Sequence, residues 1–275
     1  MNLLNPLTTA AFCLVASLTH AQTAAYLPGG GNSTSLDVYP VEGARNAPVM
    51  VYVHGGAWVT GDKSRAHIKD EFFIARGYIF ITDNFTLVRR GTVEQQMVEV
   101  DAAIGYITDN AARFGGNSSN ISLMGHTAGA HLVLMAALNP GPRAEALLAR
   151  GALKAVISND TIAFDITQIA EAAGGRLPRL YRKPFGEAPA RWAALSPASY
   201  VASAQNLPRF LLNHSGQGDA SARAQVVHGF AAALRRAGAE VQVFDGGRYN
   251  HMQITRAVGV EADISAALLG FLNAN

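Results

Sequence analysis

Two short glycine-rich segments carry the residues best placed to do chemistry. Residues 125–129 read Gly-His-Thr-Ala-Gly, a G-x-S-x-G pattern with threonine at its centre. That pattern sets a hydroxyl on a strained strand-to-helix turn, with glycines making room for the bend. Thr127 keeps a hydroxyl, so attack on a carbonyl is chemically open to it. Its extra methyl crowds a position expected at positive φ, which β-branched residues disfavour. Far upstream stands His54-Gly55-Gly56-Ala57-Trp58. Glycines there let the backbone approach a substrate, and backbone N–H groups stabilise a developing oxyanion without changing their own charge.

The elements that must hold these segments alternate between buried-strand runs and helical periods, the pattern of helices packed around a mostly parallel sheet. Residues 49–53 (Val-Met-Val-Tyr-Val) form a short strand ending at His54, and residues 78–82 form the next. Val93, Met97, Val100, Ile104, Ile107, Ala111 and Phe114 recur at intervals of three and four, one apolar helix face that Gly115-Gly116 stops. Residues 121–124 make a strand running into Thr127, and residues 128–138 the helix after it. Further strands are expected at 155–157, 209–213 and 240–244. Val226, Val227, Phe230 and Leu234 mark one helix, and Ile264, Ala267, Leu268 and Phe271 a last one. Residues 160–206, with Pro178, Pro184, Pro189 and Pro197, read as irregular and as the place for a lid or pocket insertion. The stretch Pro28-Gly29-Gly30-Gly31-Asn32 reads as a flexible entry loop.

Taken with Asn110-Ala111-Ala112-Arg113-Phe114-Gly115-Gly116 and the extension Gly129-Ala130-His131, these motifs resemble the α/β-hydrolase superfamily. The likeness is to its H-G-G-bearing esterase and kynurenine-formamidase-like group, over roughly residues 35–272. The resemblance implies an α/β-hydrolase fold: a central, mostly parallel sheet of about eight strands, helices on both faces, and the site at the strands' C-terminal ends. It implies Thr127 as nucleophile, with Gly56, Ala57 and Ala128 as oxyanion donors. His251, reached from the strand at 240–244 through a loop over residues 245–250, holds the place of the family's catalytic histidine. Asp219, in His214-Ser215-Gly216-Gln217-Gly218-Asp219, matches the family's H-G-x-x-D segment with one extra residue. Asp160 is the competing acid, since some hydrolases of this fold place it there. The order Thr127, Asp219, His251 is that of α/β-hydrolases. His54, His126, His131 and His214 are expected to pack or hydrogen-bond, and His20, His67 and His228 lie in no motif.

Three functional readings follow. Thr127 could be a working nucleophile in a carboxylic ester or aryl-formamide hydrolase. The protein could instead be a pseudo-hydrolase that binds a ligand or partner in the retained pocket. Or the threonine is a single change on an ordinary serine enzyme. The expected substrate is a small, fairly apolar ester or amide, with Trp58, Phe85 and Trp192 as aromatics that could line the pocket or simply pack.

Composition narrows the alternatives. Of 275 residues, 49% are apolar and 15% charged, enough for one domain with a large core. A net charge of +2 does not argue for nucleic acid or an anionic membrane, and pairs such as Arg89-Arg90 and Arg235-Arg236 are too short for either. His126 and His131 are five apart, off the spacing of a helical zinc pair. No dinucleotide or P-loop motif occurs, so no metal or organic cofactor is expected. Residues 7–18 form a short apolar stretch without Lys or Arg, followed by Thr19-His20-Ala21. This suits a secretory signal over residues 1–21, leaving one hydrolase domain over 22–275 exported to the periplasm or beyond. Cys13, the sole cysteine, would leave with it, and no stable membrane association is expected.

Overall fold

The computed structural model describes residues 21–274; the expected signal segment and Cys13 lie outside the described residues, apart from Ala21 at its end. Eight strands form one sheet among the described residues: β1 (Gln22–Ala25), β2 (Ser35–Tyr39), β3 (Ala47–Val53), β4 (Ile79–Asp83), β5 (Gly116–His126), β6 (Leu153–Asn159), β7 (Arg209–Ser215) and β8 (Val241–Gly246). Their spatial order is β1-β2-β4-β3-β5-β6-β7-β8. From β4 to β8 all neighbours are parallel, and β2 runs antiparallel to both β1 and β4.

Alternating side chains on each strand feed two separate cores, as the twofold period of a strand requires. Val49, Val51 and Val53 of β3 face one core, and Met50 and Tyr52 face the other. The first core is closed by α2 (Val93–Asn110), α3 (Ala128–Leu138), α4 (Pro142–Ala149) and α8 (Ala220–Arg236). The second is closed by α1 (Lys69–Ile74), α9 (His251–Ala257) and α10 (Ala262–Asn273). Every residue of α3 is buried, because it lies over the middle of the sheet. The expected helix through Phe114 ends earlier. α2 stops at Asn110, and a tight 3₁₀ turn over Ala111–Phe114 leads to Gly115 at φ 81°, a left-handed stop.

Residues 160–206 are not irregular. They hold α5 (Ile166–Ala172), α6 (Arg179–Phe185) and α7 (Pro189–Ala194), and Phe164, Ile166, Leu177, Phe185, Trp192 and Leu195 join the first core. Their prolines mislead the sequence reading because several open helices rather than break them. Pro178 precedes α6 and Pro189 is the first residue of α7, where a missing N–H costs nothing.

Parallel register lines up the strands' C-terminal ends. Val53 is level with Gly125, His126 with Asn159, and Asn159 with Asn213. The residues that follow these ends, at 54–58, 127, 160 and 215–217, therefore share one edge of the sheet.

Candidate active site

The turn from β5 into α3 is tight, and glycines make it so. A Cβ on Gly125 would lie 2.3 Å from the Gly129 carbonyl oxygen, and one on Gly129 2.1 Å from the Val53 oxygen. Between them Thr127 sits at φ 49°, ψ −105°. This is a strained angle for a β-branched side chain. Its N–H donates to the Asn159 oxygen at 3.0 Å, and its carbonyl accepts from His131 N at 3.1 Å. The side chain is half-buried. Its methyl packs on Gly55, where a Cβ would come within 2.3 Å of Thr127 Cγ2. Glycine at 55 is what gives threonine room at 127.

The His54–Trp58 loop has three consecutive positive φ angles: Gly56 at 132°, Ala57 at 51° and Trp58 at 62°. A Cβ on Gly56 would lie 1.9 Å from the Thr60 oxygen. Gln96 Nε2 donates to the Trp58 oxygen at 2.9 Å, and Trp58 Nε1 donates to His131 Nδ1 at 3.3 Å, so the loop is tied to α2 and α3. The N–H groups of Gly56, Ala57 and Ala128 meet no acceptor among the described residues. A run of such left-handed residues turns successive N–H groups outward, a geometry suited to an anion.

His251 is the first residue of α9, behind an Asn250–Gln253 capping box. Its Nδ1 lies 2.6 Å from Asp160 Oδ2. Asp160 directly follows β6, has φ 57°, and its side chain is wholly buried. It also accepts from Ser215 N at 2.8 Å, Ser215 Oγ at 2.7 Å and Arg223 Nη1 at 3.0 Å. Burial alone would raise its pKa. The hydrogen bonds from His251 and Ser215, with the Arg223 charge, outweigh that and hold it at about 2. An ionised Asp160 keeps the His251 proton on Nδ1 and leaves Nε2 as a proton acceptor. Neither Nε2 nor Thr127 Oγ1 has a hydrogen-bond partner among the described residues.

The acid expected first, Asp219, is elsewhere. It is exposed and caps α8, its Oδ1 accepting from Ala222 N at 3.0 Å. β7 runs through Ser215, and the Gly216–Gly218 turn carries the chain past the histidine before Asp219. The competing acid, Asp160, fills the position instead.

The remaining motif histidines are held as packing groups. His54 donates Nδ1 to the Gly55 oxygen at 2.8 Å and stacks on Phe85 at 4.4 Å. His131 donates Nε2 to the Leu195 oxygen at 2.8 Å. His126 donates Nε2 to the His251 carbonyl at 3.1 Å, and its ring lies 4.7 Å from the His251 ring. Burial lowers the pKa of His54 and of His131 to about 4. Burial, then the neighbouring His251, lower that of His126 to about 3. His214 is buried in the first core's face of β7. Trp58, Phe85 and Trp192 are buried too, with Trp58 edge-on to His131 and Phe185. Sequence reasoning missed Arg223 and Ser215. An arginine in the first turn of an amphipathic helix has no signal of its own, and a serine at a strand end has none either.

A parallel sheet whose C-terminal edge bears a strained hydroxyl residue, a carboxylate-bound histidine and a loop of free N–H groups defines the α/β-hydrolase class. Comparison with known proteins agrees. The BD-FAE family model matches residues 36–234, and the chain belongs to that family. It is 31% identical over 221 residues to esterase LipQ of Mycobacterium tuberculosis, covering 76% of this chain and 52% of LipQ. Over 104 residues it is 32% identical to the isoprenylcysteine alpha-carbonyl methylesterase ICME of Arabidopsis thaliana, covering 38% of this chain and 24% of that one. The chain thus spans about half the length, or less, of the curated relatives it matches. Among solved structures, apo Thermogutta terrifontis esterase 2 superposes with a TM-score of 0.71 at 20% identity, covering 94% of this chain and 98% of that one. A truncated carbohydrate esterase from gut microbiota gives 0.74 at 19% identity, covering 93% and 97%. These two likenesses are of fold. No helix among the described residues is long and apolar enough to cross a membrane.

Proposed function

We propose that this chain hydrolyses small carboxylic esters, or aryl formamides, by acyl transfer through Thr127, His251 and Asp160. The observation that carries the reading is the 2.6 Å contact between His251 Nδ1 and a buried, ionised Asp160, beside a hydroxyl at a strained turn. The esterase relatives support it. Thr127 Oγ1 attacks the carbonyl carbon while His251 Nε2 takes the hydroxyl proton. The oxyanion rests on the N–H groups of Gly56, Ala57 and Ala128. Collapse breaks the bond to the leaving group, which takes the proton from His251. Water then attacks the acyl-threonine with His251 again as base, releasing the acid and restoring Thr127.

The methyl is the weak part. A strained backbone angle costs on the order of 1–3 kcal/mol, and moving the hydroxyl by about 1 Å can cost ~100-fold in rate. The methyl seated on Gly55 and the unbonded hydroxyl favour one second reading, a pocket that binds without turnover. Assays with p-nitrophenyl acetate and N-formylkynurenine separate the two. On the hydrolytic reading the wild type turns over at least one substrate, Thr127→Ala loses at least ~10³-fold, and Thr127→Ser gains. If wild type and Thr127→Ala are equally silent while Thr127→Ser hydrolyses, threonine is no nucleophile and the binding reading stands.

A further inference from the structure

Asp160 does not serve His251 alone. Its Oδ2 takes His251 Nδ1 and Ser215 Oγ, while its Oδ1 takes Ser215 N and Arg223 Nη1. Arg223 stands in the first turn of α8, and its side chain is 14% exposed. Its Nε donates to the Gln217 oxygen at 3.2 Å, and Gln217 Oε1 accepts the His251 N–H at 3.5 Å. Arg223, Asp160, His251 and Gln217 therefore close a ring, in which the guanidinium braces the carboxylate on one side and the histidine's turn on the other. The cap that starts α8 is Asp219, whose carbonyl also accepts Arg223 N at 3.0 Å. The segment that resembles an acid loop here positions an arginine against an acid from another strand.

We infer that Arg223 is a positioning residue that shares the Asp160 charge and sets the pH at which His251 becomes free to accept a proton. An aspartate serving a histidine alone stabilises imidazolium with its whole charge. One that also binds a guanidinium stabilises it less, so His251 loses its proton at a lower pH than it would without Arg223. The fork geometry matters as well as the charge, because Nη1 and Nε bind two different partners at once.

The other groups around His251 are few. His126 lies against it from β5 and is held neutral by burial. Lys69 of α1 reaches α9 at the far end, where Nζ donates to the Thr255 oxygen at 2.5 Å. Asp245 at the end of β8 faces His214 and Gly247 N, and Arg256 is on α9 itself. Among the described residues, only Asp160 touches the imidazole with charge, and besides His251 only Arg223 pairs with Asp160.

The inference rests on the Asp160–His251 pair of the hydrolytic reading, and its test does not need turnover. In protein labelled with ¹⁵N at histidine, the His251 ring signals, assigned by their loss in His251→Asn, are titrated in wild type and Arg223→Gln. The midpoint should rise by roughly half to one pH unit in the variant. In the Thr127→Ser background the acid limb of kcat/KM should move by the same amount. Arg223→Lys keeps the charge but cannot bridge Asp160 and Gln217, so its midpoint rises less; it also serves if Arg223→Gln does not fold. A folded variant whose His251 midpoint stays at the wild-type value overturns the role of Arg223. Silence of both Thr127 and Thr127→Ser with a shifted midpoint would instead overturn the hydrolytic reading and leave the tuning intact.

Discussion

Replacing each candidate acid by its amide separates Asp160 from Asp219. In Asp160→Asn the position now filled by Oδ2, 2.6 Å from His251 Nδ1, receives an amide or a neutral carbonyl oxygen. An amide N–H there would face the Nδ1 proton, donor against donor, and drive the imidazole to the tautomer with its proton on Nε2. Such a ring cannot accept a proton from Thr127. The handicap of a wrong tautomer in a hydroxyl–histidine–acid triad is ~10⁴-fold in kcat, or roughly 5.5 kcal/mol of barrier. Stability falls too, because Arg223 keeps its charge and loses its carboxylate. Breaking a buried pair costs about 3–5 kcal/mol; Arg223 has some solvent and the Gln217 oxygen, so the lower end applies. Asp219→Asn should do almost nothing, since asparagine caps a helix as well as aspartate. Its kcat/KM should stay within about twofold, and its stability within ~0.5 kcal/mol. The assay is kcat/KM for p-nitrophenyl acetate in wild-type and Thr127→Ser backgrounds, with thermal unfolding to confirm that each variant folds. A large loss in Asp219→Asn alongside a well-folded, active Asp160→Asn would refute the assignment.

Two further substitutions test the surroundings. Asp83, at the end of β4, is fully buried and takes no hydrogen bond from another of the described residues, and burial, then Glu99, raise its pKa to about 7. Unfolded chain loses that proton near pH 4 while folded protein keeps it to about 7, so the folded state is penalised as pH rises through that window. At up to about 1.4 kcal/mol per pH unit, flattening near each pKa, Asp83→Asn should gain roughly 3–4 kcal/mol relative to wild type between pH 4 and 7. Urea unfolding at several pH values reads this, and a difference that does not grow with pH would show that Asp83 ionises freely. At residue 55 a Cβ would meet Thr127 Cγ2 at 2.3 Å and the His126 oxygen at 2.9 Å. Gly55→Ala should therefore cost about 1–3 kcal/mol. Part of that cost, on the order of 1 kcal/mol, should return when Thr127→Ser removes the methyl. Strict additivity in the double-mutant cycle would place the methyl somewhere else.

What could be read beforehand was whatever the pattern of burial dictates. The strands at 49–53, 121–124 and 209–213 are buried on both faces, so they stand out as apolar runs. β1 and β2 are short, and β2 alternates with Asp37, so neither forms such a run. α9 is a capped helix of about two turns, too short for an apolar period to announce it, and it begins at His251. The prolines of residues 160–206 pointed the wrong way because a proline's meaning depends on whether it begins a helix or interrupts one, which only the packed partner decides.

The site divides along the same line. Thr127, Gly56, Ala57, Ala128 and His251 could be named as candidates because each depends on a local backbone shape that a few residues encode. The acid depends on something else: which of several loops ends within reach of one imidazole nitrogen. Gly216–Gly218 takes the chain outward, Asp219 turns to capping α8, and the vacated direction is filled by Asp160 with Arg223 behind it. The same contact logic applies at the elbow. A threonine there looks incompatible until residue 55 is seen beneath its methyl. Thr127 and Gly55 thus form one packing unit: the missing Cβ at residue 55 makes the space that the threonine methyl occupies.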